Sequence, residues 1–324
     1  MKVVHIVPGS GGTFYCQNCM RDGALVQALR RAEHEKPDLI HISNALLIGL
    51  AAEIKAVLNV PVVCSLQDED GWLDQIDPPY NEKCWAAIRE RTKDVDQFVA
   101  VSHWFADRMS ERLEIPREQI EVVHIGIDLE GFKPATLDFN PPVLGYLSRM
   151  NESLGLEKLV DAFIELKQCA GLENLQLRAT GGLVGDDYKC VARLQKKLAK
   201  KGFEKDAEFI ENFSREQRLA FLKSLSVLCV PVEQGEAFGT YIIEAMAAGV
   251  PVVQPNAGAF PELISATGGG VIYKNLTDSL RELLTHPDQA RKLATKGREN
   301  VYEKFDVNTM AQNTRTLYQT ILNH

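Results

Sequence analysis

Two glutamates, Glu236 and Glu244, stand eight positions apart in the segment EAFGTYIIEAMAAGVPVV, which spans residues 236–253 and follows the apolar run VLCVPV. Carboxylates accept hydrogen bonds, so a pair that faces one crevice can bind the hydroxyls of a ribose or a hexose. In the plain alternative, Glu236 only complements a helix dipole and Glu244 lies on a solvated helix face. The spacing by itself leaves both interpretations open.

The same segment carries the signals of a short helix with a ligand site at its start. Thr240 is the predicted N-cap, Gly249 the predicted left-handed terminator and Pro251 the predicted stop. Phe238 and Gly239 then lie at the beginning of the helix, where backbone N–H groups and the positive end of the helix dipole favour a phosphate or sugar hydroxyls. Gly239 also lets a ligand approach the backbone closely.

The opening of the chain contains two weaker signals. A predicted first strand is followed by PGSGG, in which Gly9, Gly11 and Gly12 are placed to contact a phosphate or an acceptor at the next helix start. Because the spacing differs from G-x-G-x-x-G, an ordinary glycine turn is the alternative. Cys16 and Cys19 form a lone C-x-x-C, so we predict thiols that pack a loop rather than a zinc or redox site.

These residues need a scaffold, and the sequence predicts one of the α/β class. Short β-branched runs alternate with amphipathic stretches nearly throughout, which is typical of βαβ units and of a doubly wound parallel sheet. The irregular stretch at residues 125–142 contains three prolines and two glycines and predicts a connection. We therefore expect two Rossmann-like domains, residues 1–140 and 141–306, with a last helix at residues 307–324 that can pack on either domain.

The predicted strands are near-continuous apolar runs, as expected for strands that are covered on both faces. Helical patterns separate them. The strands are expected at residues 2–7, 38–42, 61–66, 97–101 and 120–124 in the first domain, and at 143–147, 175–180, 207–210, 227–230, 252–254 and 271–273 in the second.

Composition narrows the function classes. Lys and Arg number 36 and Asp and Glu number 44, for a net charge of −8, whereas proteins that bind phosphate backbones usually have a basic excess. The longest apolar runs fall far short of the roughly 20 residues of a membrane span, and the seven cysteines are too scattered for a disulfide framework. We expect a cytoplasmic protein without a nucleic-acid partner, and peripheral contact with the inner membrane face stays open.

The order of the motifs resembles the family-4 retaining glycosyltransferases (glycosyl transferases group 1), which have the GT-B fold. The resemblance rests on E-x7-E with EAMAAGVPVV, NAGAFPELI, VLGYLSRMNESLGLEKLVDAF, ATGG, VSHWFADRM and EVVHIGIDLEGFKP. It covers most of residues 97–324 and, more loosely, PGSGG. It implies two Rossmann-like domains that face each other across a cleft, the first for an acceptor and the second for a nucleotide sugar, with a final helix that crosses back to the first domain.

The resemblance also implies residue roles. Glu236 and Arg149 are the predicted catalytic residues: Glu236 would hold the donor sugar, and Arg149 would neutralise the leaving diphosphate. Glu244 would hold the ribose hydroxyls. The other predicted donor-binding residues are Phe238, Gly239, Thr240, Gly181 and Gly182.

Several features depart from the family pattern. The family usually has a lysine five positions after the arginine, where this chain has Leu154, so half of the diphosphate clamp is absent or another cation replaces it. Many members have a histidine where this chain reads SLQDED, so Gln67 and Asp68 are predicted on the acceptor side. His103, just past the apolar run QFVAV, joins them because ligands bind at sheet ends in open α/β folds.

The first domain is also short. Strand and helix units that the family places between Ala32 and Pro37 are missing, so we predict a domain abridged near residues 32–37, either natively or by loss of a segment.

The resemblance implies transfer of a hexose from a nucleoside-diphosphate sugar to a hydroxyl acceptor, glycan or lipid-linked, with retention at the anomeric carbon. Neither a cofactor nor a metal ion is expected, because GT-B members need no divalent ion. Leu154 and Gln67 motivate an alternative, a sugar-nucleotide or glycan-binding homologue with weakened catalysis. A GT-B sugar-nucleotide epimerase is a third hypothesis.

Overall fold

The computed structural model of the chain describes residues 1–6, 37–211 and 214–323. The described residues form two compact units. The first contains residues 1–6, 37–128 and 305–323, and the second contains residues 129–211 and 214–304. The division after Asp128 falls within the connecting stretch predicted at residues 125–142.

The described strands form two fully parallel sheets. Each strand predicted in these regions is present, and where both ends are described they differ from the prediction by no more than two residues. The strands are β1 (Val3–Ile6), β2 (Leu39–Ile42), β3 (Val62–Leu66), β4 (Gln97–Ala100) and β5 (Ile120–Val122), then β6 (Val143–Leu147), β7 (Gln176–Thr180), β8 (Ala207–Ile210), β9 (Val227–Cys229), β10 (Val252–Gln254) and β11 (Gly270–Ile272).

Twelve α-helices lie within the described residues. A 3-10 helix over Ala45–Leu50 precedes the first of them. The helices are α1 (Ala51–Leu58), α2 (Glu69–Leu73), α3 (Tyr80–Arg91), α4 (His103–Leu113), α5 (Leu156–Leu166), α6 (Asp187–Lys200), α7 (Arg215–Lys223), α8 (Thr240–Ala247), α9 (Phe260–Thr267), α10 (Leu276–Thr285), α11 (Pro287–Lys304) and α12 (Val307–Leu322). None of the helices in the described parts of the chain is long and apolar enough to cross a membrane.

The sheet of the second unit has the order β11-β10-β9-β6-β7-β8. Its first strand in the chain, β6, is therefore central and pairs with both β7 and β9. The strand order reverses at β6, and in open α/β sheets such a reversal opens a crevice at the carboxyl ends of the strands where ligands bind. In the first unit the described strands run in chain order, with β1 at one edge.

The core of the first unit is closed by the last helix, α12. Tyr318 and Met310 on α12 belong to a buried cluster with one residue from each of β2, β3 and β4 and with Val123 just after β5. The Tyr318 hydroxyl is hydrogen-bonded with His5 Nε2 at 3.0 Å and with His41 Nδ1. His41 Nε2 is bonded in turn with Ser65 Oγ at 2.7 Å. A network of polar side chains thus joins α12 to three neighbouring strands, and its buried side chains have hydrogen-bond partners.

We predict that Tyr318→Phe lowers the free energy of unfolding by about 1–3 kcal/mol, because it leaves a buried imidazole without its hydroxyl partner. Tyr318→Ala should cost more, about 3–5 kcal/mol, since it also opens a cavity in the core. Urea unfolding measures both, with the exposed neighbour Gln319→Ala as the control. An unchanged urea midpoint for Tyr318→Phe would show that the network contributes nothing to stability.

Candidate functional site

The donor-side residues predicted from the sequence all lie in the second unit, on loops at the carboxyl ends of three adjacent strands and on α8. Arg149 follows β6, Gly181 and Gly182 follow β7, Glu236, Phe238 and Gly239 follow β9, and Thr240 and Glu244 lie on α8. The loops after β6 and β7 continue the sheet pairing, because Ser148 N–H donates to the Thr180 carbonyl at 3.1 Å and Met150 N–H donates to the Gly182 carbonyl at 3.1 Å.

The start of α8 differs from the prediction by one residue. Gly239 is the N-cap, and Thr240 is the first helical residue, so the predicted threonine cap is wrong. Gly239 has a φ of +99°, a conformation that glycine adopts without strain and that a β-branched residue resists. Phe238 and Thr240 are buried beside it, and the positive end of the helix dipole adjoins the loop that carries Glu236.

Glu236 has a fixed backbone. Its carbonyl accepts the Ala259 N–H at 3.0 Å, and Gly258 lies so close that a Cβ there would meet the Glu236 oxygen at 2.6 Å. Its side chain is electrostatically coupled to Tyr146: burial, and next the negative charge of Glu236, raise the pKa of the Tyr146 hydroxyl. Glu236 and β6 therefore belong to one site.

Tyr146 also ties down the loop after β6. Its hydroxyl lies 3.0 Å from the Arg149 carbonyl and 3.1 Å from the Leu154 carbonyl, and donates toward both. The Arg149 side chain is held separately by Asp187, the first residue of α6: Nε donates to Oδ2 at 2.7 Å, and Nη2 donates to Oδ1 at 3.1 Å. Such a two-point pair fixes the plane of the guanidinium and uses two of its five N–H donors.

Glu244 is not on a solvated helix face. Its side chain is 2% exposed, and its Oε1 lies 3.3 Å from Nε of Arg218, whose side chain is 10% exposed. Arg218 is on α7, which begins with a full capping box between Ser214 and Gln217. A carboxylate this deeply buried needs a cation, and Arg218 supplies one.

Sequence reasoning missed Asp187 and Arg218. Both contacts are long-range in the chain, and neither residue carries a local motif that would point to its partner. Asp187 could have been suspected only from its place shortly after the glycine turn at residues 181–182, at a helix start where a carboxylate is favoured.

The acceptor-side residues predicted from the sequence lie in the first unit. Gln67 is buried, and its Nε2 donates to the Ser43 carbonyl at 2.6 Å. Asp68 has a φ of +72° and is the N-cap of α2, with no capping hydrogen bond from its side chain. Glu69 accepts the N–H groups of Ala45 at 2.9 Å and of Gln67 at 2.7 Å, so one buried carboxylate joins the loops after β2 and β3.

His103 begins α4 at the carboxyl end of β4. It is exposed, its Nδ1 lies 3.5 Å from Nη2 of Arg117, and its ring meets the ring of His124 edge-on at a centroid distance of 5.8 Å. The helix itself is capped by Ser102, whose hydroxyl accepts the Phe105 N–H at 3.1 Å. His103 is thus at a sheet end, as the sequence predicts.

Several predictions lie outside the described residues. They concern the glycine loop of Gly9, Gly11 and Gly12, the cysteine pair of Cys16 and Cys19, and most of the abridged junction at residues 32–37.

The family model described as Glycosyl transferases group 1 matches residues 130–300, and the model described as Glycosyltransferase Family 4 matches residues 2–130. The chain therefore belongs to the family-4, or group 1, glycosyltransferases, and the resemblance seen in its motifs is confirmed.

Individual relatives are distant. N-acetyl-alpha-D-glucosaminyl L-malate synthase of Bacillus anthracis is 24% identical over 310 residues, which cover 90% of this chain and 77% of that protein. Sucrose-phosphate synthase from Thermosynechococcus elongatus superposes with a TM-score of 0.74 at 20% identity, over 94% of this chain and 78% of that one. Anabaena HepE in complex with UDP superposes with a TM-score of 0.74 at 18% identity, over 92% of this chain and 81% of that one. These structures confirm the predicted α/β GT-B fold.

Glu69 yields a prediction that pH can test. Burial raises the pKa of its carboxyl from 4.5 to about 7, against the hydrogen bonds from Ala45 and Gln67, which lower it. In this pH range the folded state holds a proton on Glu69 that the unfolded state has lost, so the contribution of Glu69 to stability falls as the pH rises from 4.5 to about 7. We expect Glu69→Gln to remove on the order of 3 kcal/mol of that fall.

The measurement is the urea-unfolding free energy at several pH values. Glu69→Gln should be less stable at low pH, because its amide N–H₂ faces a backbone N–H, but should show a flatter pH profile than the wild type. Glu111→Gln, on an exposed face of α4, is the control. Parallel profiles for wild type and Glu69→Gln would contradict the titration of this carboxyl.

Proposed function

We propose that this glycosyltransferase binds a nucleoside-diphosphate sugar in its second unit and transfers the hexose to a hydroxyl acceptor with retention at the anomeric carbon. The observation that carries the proposal is the convergence of Glu236, Glu244 and Arg149 on the loops and helix that follow β6 and β9, beside the strand-order reversal. Anabaena HepE, which shares the fold, has been solved with UDP and with UDP-glucose, which supports a donor of this class.

The donor contacts follow from the chemistry of each group. Glu244 accepts hydrogen bonds from the ribose hydroxyls, since a carboxylate offers several acceptor positions and the ion pair with Arg218 fixes its place in the site. Glu236 accepts hydrogen bonds from the donor sugar. The first turn of α8, at Gly239 and Thr240, receives the phosphates at the positive end of the helix dipole, and Gly181 and Gly182 border the same site.

Arg149 stabilises the departing diphosphate. Its guanidinium is oriented in advance by Asp187, so little reorganisation is required when negative charge develops on the leaving group. A donor of this kind, aimed at developing charge, is worth about 3–4 kcal/mol of barrier in other enzymes.

The reaction is a front-face substitution. The acceptor oxygen forms a bond with the anomeric carbon on the face from which the diphosphate departs, while the bond between that carbon and the phosphate oxygen breaks. The acceptor proton passes to the departing phosphate oxygen, so the products are a glycoside of unchanged anomeric configuration and a nucleoside diphosphate. Neither a metal ion nor a cofactor takes part in this scheme.

The acceptor binds on the first unit in this proposal, with Gln67, Asp68 and His103 at the carboxyl ends of β3 and β4. Gln67 is buried and bonded to the Ser43 carbonyl, so its role is to shape the loop. Asp68 and His103 are the residues with side chains accessible to a sugar or a lipid-linked hydroxyl.

One observation favours a second candidate, a sugar-nucleotide-binding homologue with weak turnover. Because Leu154 replaces the lysine of the family pattern, Arg149 is the one of the two diphosphate-binding cations that remains. The positive charge of Arg149 is in turn opposed by the carboxylate of Asp187. Product analysis separates the candidates, because the binding homologue consumes donor slowly or not at all, whereas an epimerase would convert the donor sugar without transfer.

Donor binding is tested by thermal shift against UDP-, GDP- and ADP-sugars. A ligand at 100 times its Kd should stabilise the folded protein by about 2.7 kcal/mol, and Glu244→Gln should lose most of that shift, because the amide replaces one acceptor oxygen with a donor and removes the charge that strengthens hydrogen bonds from ribose hydroxyls. Glu216→Gln, an exposed glutamate on α7, is the matched control and should keep it. Each variant is compared with its own ligand-free melting temperature. If no nucleotide sugar shifts the wild type, the proposed donor site is wrong.

Retention is tested by proton NMR of the glycoside made from the donor that gives the largest shift. The anomeric coupling should match the donor's configuration, as front-face departure requires. An inverted product would rule out the proposed substitution while leaving donor binding intact.

A further inference from the structure

The described side chains of the proposed donor site carry too little positive charge for the ligand. Arg149 pairs with Asp187 and Arg218 pairs with Glu244, while Glu236 contributes a further carboxylate, so these five side chains carry a net charge of −1 when ionised. A nucleoside diphosphate brings additional negative charge. Binding such a ligand calls for another cation within reach of the loops after β6 and β9.

Lys158 lies where such a cation can act. It is in the first turn of α5, four residues after Leu154, which lies in the turn just before the N-cap Gly155. Helical side chains lean toward the helix N-terminus, so Lys158 extends toward the end of α5 that the loop from Arg149 enters.

The start of α5 packs closely on the loop after β9. A Cβ on Gly155 would meet the Pro231 carbonyl oxygen at 2.3 Å, which shows how closely the two backbones approach. On the same side, Gln234 Nε2 donates to the Ser153 carbonyl at 2.9 Å. The loop that ends at Glu236 and the loop that begins at Arg149 are therefore joined next to Lys158.

The contacts of the Lys158 ammonium place it where the start of α5 packs on the loop after β9. Lys158 Nζ forms an ion pair with Glu233, three residues before Glu236, and lies 5.4 Å from the centroid of the Tyr273 ring. Burial raises the pKa of the Cys229 thiol, and the positive charge of Lys158 opposes that rise, so the ammonium is close to the carboxyl end of β9.

The ion pair with Glu233 is exchangeable. The Lys158 side chain is 38% exposed and that of Glu233 is 71% exposed, and pairs between such exposed groups contribute little to stability. A lysine ammonium binds phosphate as a compact point charge and needs no fixed geometry. An arriving diphosphate can therefore displace Glu233 at small cost.

We propose that Lys158 is a second cation for the donor diphosphate, and that it takes the place that Leu154 leaves vacant by moving from Glu233 to the ligand. This inference rests on the proposed function, because it assumes that a nucleoside diphosphate binds beside Arg149. It differs from a purely structural role for Lys158, in which the pair with Glu233 only fastens α5 to the loop.

The test is isothermal titration of UDP, GDP and ADP, and of the corresponding monophosphates, into the full-length protein. Lys158→Gln should lower the affinity for the diphosphate that binds best about tenfold, because a charge-assisted contact to the second phosphate is lost. The affinity for the corresponding monophosphate should change much less. Lys158→Arg should retain most of the affinity. Glu233→Gln should bind the diphosphate at least as tightly as the wild type, since the competing carboxylate is gone.

A rescue variant strengthens the test. Adding Leu154→Lys to Lys158→Gln returns an ammonium to the loop between Arg149 and α5, at the position where the family usually has a lysine, and should restore the diphosphate affinity. Melting temperatures without ligand should agree within experimental error for all these variants, which separates a binding defect from a folding defect.

The outcomes are distinguishable. If the wild type binds a diphosphate and Glu244→Gln abolishes that binding, but Lys158→Gln binds like the wild type, the inference about Lys158 is overturned and the donor site stands. Equal losses in Lys158→Gln and Glu233→Gln would show a structural ion pair and would also overturn it. If the wild type binds none of the three diphosphates, both the donor site and the inference are wrong.

Discussion

The central position of β6 determines what the rest of the second unit can do. Because β6 pairs with β7 on one side and β9 on the other, the loops that follow all three strands emerge at one edge of the sheet. The pairing extends beyond the strands, since Ser148 and Met150 still donate to carbonyls of the neighbouring loop. Arg149 lies between these two bonded residues, so its backbone is as well defined as a strand, although it belongs to a loop. The position of the proposed leaving-group cation is thus a consequence of sheet topology.

Buried charge is the second organising feature. Asp187 and Glu244 have almost no solvent exposure, and each is compensated by one guanidinium, from Arg149 and Arg218 respectively. Arginine suits both places because it stays ionised when buried and fixes a carboxylate in a defined orientation. The arrangement has an electrostatic consequence: among the described residues, Arg149 and Arg218 are each balanced by a buried carboxylate, whereas Lys158 is paired with the exposed Glu233 and can exchange that partner for a ligand.

Sequence patterns predicted the strands and the family, and the reasons are local. β2, β3 and β6 are buried on both faces, so their sequences are mostly apolar and easy to read, with His41 and Ser65 as buried polar exceptions. The pairs Arg149 with Asp187 and Arg218 with Glu244 could not be predicted, because each depends on which loops the sheet order brings together. The cap of α8 was misplaced by one residue since threonine is the commoner cap, whereas the backbone there has the positive φ that only glycine adopts easily.

The return of α12 to the first unit affects how the chain acquires its structure during synthesis. The described part of the second unit lies within residues 129–304, so it is made before α12. The first unit begins at the amino terminus, yet its core includes Met310 and Tyr318. Since translation proceeds from the amino terminus, the strands of the first unit must wait for residues that are made after the second unit. His41, a polar side chain in the middle of the sheet, meets its tyrosine partner only when α12 has left the ribosome, so the later part of the chain can fold before the earlier part.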